Sequence, residues 1–71
     1  VNKINPKKLL NSKWTAVAPA KREKHFLVTE VEFDEKGDVI HCLIEAVLSK
    51  RAAPVNWQDL KDADNWLQGW K

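Results

Sequence analysis

The chain has 71 residues, a net charge of +2, a single cysteine, four tryptophans and two phenylalanines. At that length it makes one domain with a small core that depends on large side chains, because one thiol excludes an internal disulfide and a cysteine-based zinc site. No apolar run nears the roughly 18 residues of a membrane span, the charged start VNKINPKK leads into no signal-peptide core, and the unpaired thiol suits a reducing, cytoplasmic setting.

In chain order, NPKKLL (5–10) reads as a short helical turn. Asn5 is placed to cap it, and Pro6 suits the first helical position, where its missing N–H has no partner to lose. SKWTAVAP (12–19) reads as a strand stopped by Pro19, since proline cannot donate to a ladder. AKREK (20–24) is a polar, basic connection.

The clearest element is a hairpin. HFLVTEVEFD (25–34) and VIHCLIEAVLSK (39–50) are rich in β-formers, and EKGD (35–38) joins them with Gly37 available for positive φ. Side-chain alternation selects the register. Pairing Phe33 with Ile40 also pairs Val31 with Cys42, Thr29 with Ile44 and Leu27 with Ala46. One face then holds Leu27, Val31, Phe33, Ile40, Cys42, Ile44, Ala46 and Leu48. A one-residue slip would put Glu30 and Glu32 among these apolar groups. On the opposite face Glu32 falls across from His41 and Glu30 from Leu43, while Phe26, Val28, Leu43 and Val47 form a second apolar patch. The NPKKLL turn, strand curvature toward a partial barrel, or a partner would cover that patch.

Beyond Arg51-Ala52-Ala53-Pro54, Val55 to Trp57 suit a short edge strand, and a helix is expected to follow. Asn56 with Asp59, or Asp62 alone, would cap it. At 3.6 residues per turn Leu60, Ala63, Trp66, Leu67 and Trp70 fall within an arc of about 120°, so Trp66 and Trp70 are expected in the core as part of a lid over the sheet. Gly69 marks a frayed last turn or a close approach to the backbone. Trp57 is expected at the sheet–helix junction. Trp14 either closes one end of the core or offers a ring beside Lys13.

Catalytic chemistry finds little support. His41 and Cys42 are neighbours on a strand and point to opposite faces, so they cannot share a proton. Cys42 reads as a buried small hydrophobe. His25 and His41 lie on opposite faces and on the order of 20 Å apart along the ladder, too far to bind one metal. Glu30, Glu32, Asp34 and Glu35 read as a solvated rim that discourages edge pairing. Gly37 and Gly69 are the only glycines, too few for a phosphate loop. An enzyme, a cofactor and a resident metal are therefore not expected.

The charge is unevenly spread. Residues 1–24 hold seven basic side chains and one acidic, whereas residues 25–71 hold five basic and nine acidic. Lys7, Lys8, Lys13, Lys21, Arg22 and Lys24, with the Trp14 ring, make a candidate surface for single-stranded RNA or DNA, where charge holds phosphates and a ring stacks a base. Phe26, Val28, Leu43 and Val47 make a candidate surface for another protein. The chain begins at Val1 and contains no methionine, so either the initiator has been removed or the chain is a fragment.

Together and in order, NPKKLLNSKWTAVAP, EKHFLVTEVEFDEKG, VIHCLIEAVLSKR and WQDLKDADNWLQGWK resemble a family of small, tryptophan-rich, conserved hypothetical bacterial proteins. The resemblance runs from about Asn5 to Lys71. It implies a bacterial, cytoplasmic, free-standing domain and carries over no catalytic or cofactor residue.

The expected architecture is α+β: an antiparallel meander of three or four strands under a C-terminal helix, with an SH3-like partial barrel as the alternative. Residues 1–11 would form an arm with a helical turn, 12–57 the sheet and 58–71 the helix. The expected function is that of a non-catalytic small binding protein. Single-stranded nucleic acid and a protein-interaction accessory role are the two specific alternatives.

Overall fold

A computed structural model describes residues 1–20 and 23–71. A 3-10 turn, η1 (Pro6–Lys8), precedes β1 (Lys13–Ala20), β2 (Glu23–Phe33), β3 (Val39–Ala46) and β4 (Ala52–Pro54). A second 3-10 turn, η2 (Trp57–Lys61), leads into β5 (Trp66–Gln68). All strands belong to one antiparallel sheet in the order β4-β3-β2-β1-β5. The chain therefore crosses from one sheet edge to the other between β4 and β5, and η2 makes that crossing.

This corrects the expected α+β class. The described residues contain no α-helix, and the segment 58–71 is a 3-10 turn, a tight turn and a strand. The reason is local. Asp62 closes η2 in an extended conformation, and its carboxylate accepts from the Asp64 N–H at 2.9 Å and from Asn65 Nδ2 at 2.6 Å. Its carbonyl accepts from the N–H groups of Asn65 and Trp66. Short polar side chains that bond nearby backbone in this way compete with helix propagation. Trp66 to Gln68 then pair with Ala16 to Trp14 on β1. The observed architecture is a single five-stranded antiparallel sheet with β4 and β5 at its edges, with two 3-10 turns and no α-helix among the described residues.

The hairpin register is correct at its centre and shifts at both ends. Glu30 faces Leu43, Val31 faces Cys42 and Glu32 faces His41. A bulge at Thr29 then pairs Val28 with Ile44 and Phe26 with Ala46, and a second irregularity pairs Phe33 with Val39. One extra residue reverses every side chain beyond it. Phe26, Val28 and Val39 thus enter the core. Leu27 turns to the outer face opposite Glu45. Phe33, Ile40 and Leu48 are exposed. The turn is as read, with Gly37 at φ 85°.

Leu9, Trp14, Val28, Cys42, Ile44 and Leu60 form the buried cluster, with Trp57, Trp66, Phe26 and Val55 packed around it. Leu9 follows η1, whose cap is the expected one: Asn5 accepts from the Lys7 N–H at 3.0 Å, with Pro6 in the first turn. Leu60 comes from η2, capped by Asn56, which accepts from the Gln58 N–H. Strand β1 runs through Pro19 instead of stopping there, and the short edge strand is Ala52–Pro54, not 55–57. At the other edge Asn2 bonds the carbonyls of Leu60, Lys61 and Trp66, so the N-terminal arm covers β5.

Candidate functional site

The last residues decide what the outer face of the sheet presents. Trp66 shares the core face with Ala16 and meets Phe26 edge-on, with ring centroids 5.3 Å apart and planes at 80°. Gly69 has φ 81°, a region that residues with a Cβ avoid. From there residues 69–71 turn across the opposite face, over Thr15. The Thr15 hydroxyl donates to the Gly69 carbonyl at 2.7 Å and accepts from the Lys71 N–H at 3.0 Å, and Thr15 is buried beneath them. The expectation that Trp66 and Trp70 line one helical face is thereby overturned, because the two rings lie on opposite sides of the sheet.

Trp70 is 44% exposed. Its indole N–H donates to the Phe26 carbonyl at 3.0 Å, which fixes the ring against β2. The Lys13 ammonium stands 4.8 Å from the ring centroid. The His25 ring lies 6.1 Å away and tilted by 42°, and its Nε2 bonds the Lys71 main-chain oxygen at 3.0 Å. Cross-strand pairing of Thr15 with His25, and of Lys13 with Leu27, sets these side chains side by side. Lys24 is exposed next to His25, and together with Val47 and Leu48 they line a shallow groove. An aromatic ring flanked by one ammonium and one imidazole and open to water therefore occupies one end of the outer face.

Trp14 is not that ring. It is 2% exposed, and its N–H donates to the Ser12 hydroxyl at 2.9 Å, so it seals the core and has no face to offer a ligand. Lys13, its neighbour, points to the other side of β1 and finds Trp70. Lys7 and Lys8 are exposed on η1, which closes the core face, so they do not join Lys13 on the outer face, and Lys24, the strand neighbour of His25, alternates away from it. Lys21 and Arg22 lie outside the described residues. The sequence signal for Trp70 is WLQGWK, where a glycine able to reverse the chain separates the two indoles.

The candidate protein-binding patch is dismantled by the bulge at Thr29. Val28 is fully buried and Phe26 packs against the core, which leaves Leu43 and Val47 half-buried and without their expected neighbours. Cys42 is buried, and burial pushes its thiol above the ordinary range, which disfavours the reactive thiolate. No helix among the described residues is long and apolar enough to cross a membrane.

A small antiparallel sheet packed over a tryptophan-rich core, with one further indole held at the surface beside a lysine ammonium, defines a small domain whose distinguishing residue is tryptophan. The family described as Tryptophan-rich protein (DUF2389), which has no known function, matches residues 12–71, and the chain belongs to it. The match covers all five strands and leaves the N-terminal arm outside. Among curated proteins and among solved structures, nothing matches the chain.

Proposed function

We propose that the protein is a non-catalytic binding domain that takes single-stranded RNA or DNA on the Trp70 end of its outer face. The observation that carries this reading is the half-exposed Trp70 ring under the Lys13 ammonium, with His25 beside it. An exposed cation–π contact is worth only about 0.5–1 kcal/mol, so Lys13 can leave the ring for a phosphate while a base takes its place. Stacking a base on an aromatic side chain is worth about 1–3 kcal/mol and tolerates any base, because each has a π-face. The other end of the same face carries Glu30 and Glu32 and repels phosphate, so the strand would be held at one end only. Cys42, sealed in the core with His41 on the opposite side of β3, supports the absence of a catalytic role.

The test is fluorescence anisotropy of a labelled oligonucleotide of about 12 residues, at about 50 mM and about 200 mM salt. Binding at low salt is expected to weaken by about 1–3 kcal/mol in Trp70→Ala. Lys13→Ala is expected to reduce the slope of affinity against salt by about one. An oligonucleotide that fails to bind at low salt overturns the reading, as does full affinity in Trp70→Ala.

A further inference from the structure

The acidic end of the outer face holds a second constellation, independent of Trp70. Glu32 and His41 are direct cross-strand partners, and Glu30 precedes Glu32 by two residues on β2, so all three side chains leave the same face. One carboxylate oxygen from each glutamate and one imidazole nitrogen lie within 4.8 Å of one another. His41 Nε2 is 3.8 Å from Glu30 Oε1, close but beyond hydrogen-bond reach. Neither glutamate has a lysine or arginine partner among the described residues, so two negative charges converge with only an imidazole beside them.

We infer that Glu30, Glu32 and His41 form a binding site for a divalent transition-metal ion such as Zn²⁺. A dication is the group that such an arrangement lacks, since it attracts both carboxylates and accepts the neutral imidazole as a third ligand. Donors about 2.1 Å from a tetrahedral ion stand about 3.4 Å apart, and rotation of two exposed glutamate side chains closes the present spacing to that value. The imidazole selects borderline ions such as Zn²⁺ or Cu²⁺ over Mg²⁺ and Ca²⁺, which take oxygen ligands. The ligands stand on two hydrogen-bonded strands, a more rigid support than a loop. The two histidines cannot share one ion, as their separation requires, and this site asks for only one of them. Three protein ligands leave a position open for water or for an outside donor.

The experiment is titration of the full chain with ZnCl₂ against a colorimetric chelator, with imidazole NMR resonances followed in parallel. One Zn²⁺ per chain is expected, shifting the His41 resonances and sparing those of His25. Affinity should fall by about tenfold or more in His41→Gln and in Glu32→Gln, since even supporting residues of metal sites have effects of that size. His41 is only partly buried and Glu32 exposed, so both variants keep the fold, verified by tryptophan fluorescence. Millimolar Mg²⁺ should not compete. Undiminished Zn²⁺ binding in His41→Gln overturns the assignment, and so does perturbation of His25 instead of His41, or no binding to the unaltered chain.

Discussion

The two faces of the sheet use the same residue type for different ends. On the inner face Trp14 is 2% exposed and packs with Leu9, Val28 and Leu60, all at 0%. On the outer face Trp70 is 44% exposed and its ring meets a lysine, a histidine and water. Burial of the inner indoles supplies the apolar area that a chain this short needs, since the hydrophobic effect scales with area removed from water. The outer indole contributes less to folding and is free to touch a ligand. Tryptophan content by itself therefore says nothing about which rings work. The reversal of the chain at Gly69 makes that division, carrying Trp70 to the outer face.

Charge divides the outer face in its turn. Lys13 and His25 flank Trp70, whereas Glu30 and Glu32 gather beside His41 toward the hairpin turn. The inner face has no such polarity, because buried charges would carry a desolvation penalty. A sheet sealed on one side and wet on the other is free to vary its chemistry only on the wet side.

The largest effect expected to test this contrast comes from adjacent residues on β2. Val28→Asp would bury an unpaired carboxylate and cost about 4 kcal/mol or more, enough to unfold much of a small domain. Leu27→Asp, one residue away and facing out, should cost far less in urea denaturation. A reversed ranking, with Leu27→Asp the more costly, would mean that the bulge at Thr29 does not exist in solution. Trp14→Ala should follow at about 3–5 kcal/mol, as for large aromatic truncations in cores. Trp70→Ala removes one hydrogen bond and one exposed cation–π contact and should cost about 1–2 kcal/mol while abolishing oligonucleotide stacking.

Gly69→Ala sharpens the contrast further. Nothing lies within 4 Å of the added methyl group, so the cost is conformational only, about 1–2 kcal/mol for positive φ. Its visible consequence should be loss of the Thr15–Lys71 contact, read as faster amide exchange at Lys71. The smallest effect concerns Cys42. Burial raises the thiol's pKa in the folded state, so its contribution is complete below the unfolded thiol's range and is lost as pH rises through the raised value. The stability advantage of the protein over Cys42→Ala should therefore narrow in alkaline denaturation series.

Much of the hairpin is legible in the sequence. Glu30 and Glu32 cannot face the core, and that constraint alone gives the observed pairing of Glu30, Val31 and Glu32 with Leu43, Cys42 and His41. The bulge is not legible, because Thr29 is unremarkable locally. Its place follows from contacts that Val28 makes elsewhere, with its N–H bonded to the Ser12 carbonyl and its carbonyl accepting from the Asn11 N–H. The missing helix has a similar origin. The spacing of Leu60, Ala63, Trp66, Leu67 and Trp70 fits a helical stripe, but Asp62, Asp64 and Asn65 form a turn and β1 offers an unpaired edge some fifty residues away. The candidate site is half legible: Lys13 stands out in the sequence but beside Trp14, whereas the ring its ammonium meets is Trp70.

From its residues alone this chain determined that it forms one small domain without covalent staples, built around a glycine-turned hairpin and tryptophan-filled core, with a basic first third and an acidic remainder. These are properties of composition and short-range pattern, and they hold whichever way the sheet closes. Tertiary structure alone decided which indole is exposed, that Lys13 reaches it, and which residues beyond the bulge enter the core. Each of those outcomes depends on a backbone shift of one residue or one positive φ, whose energy is set by partners distant in sequence.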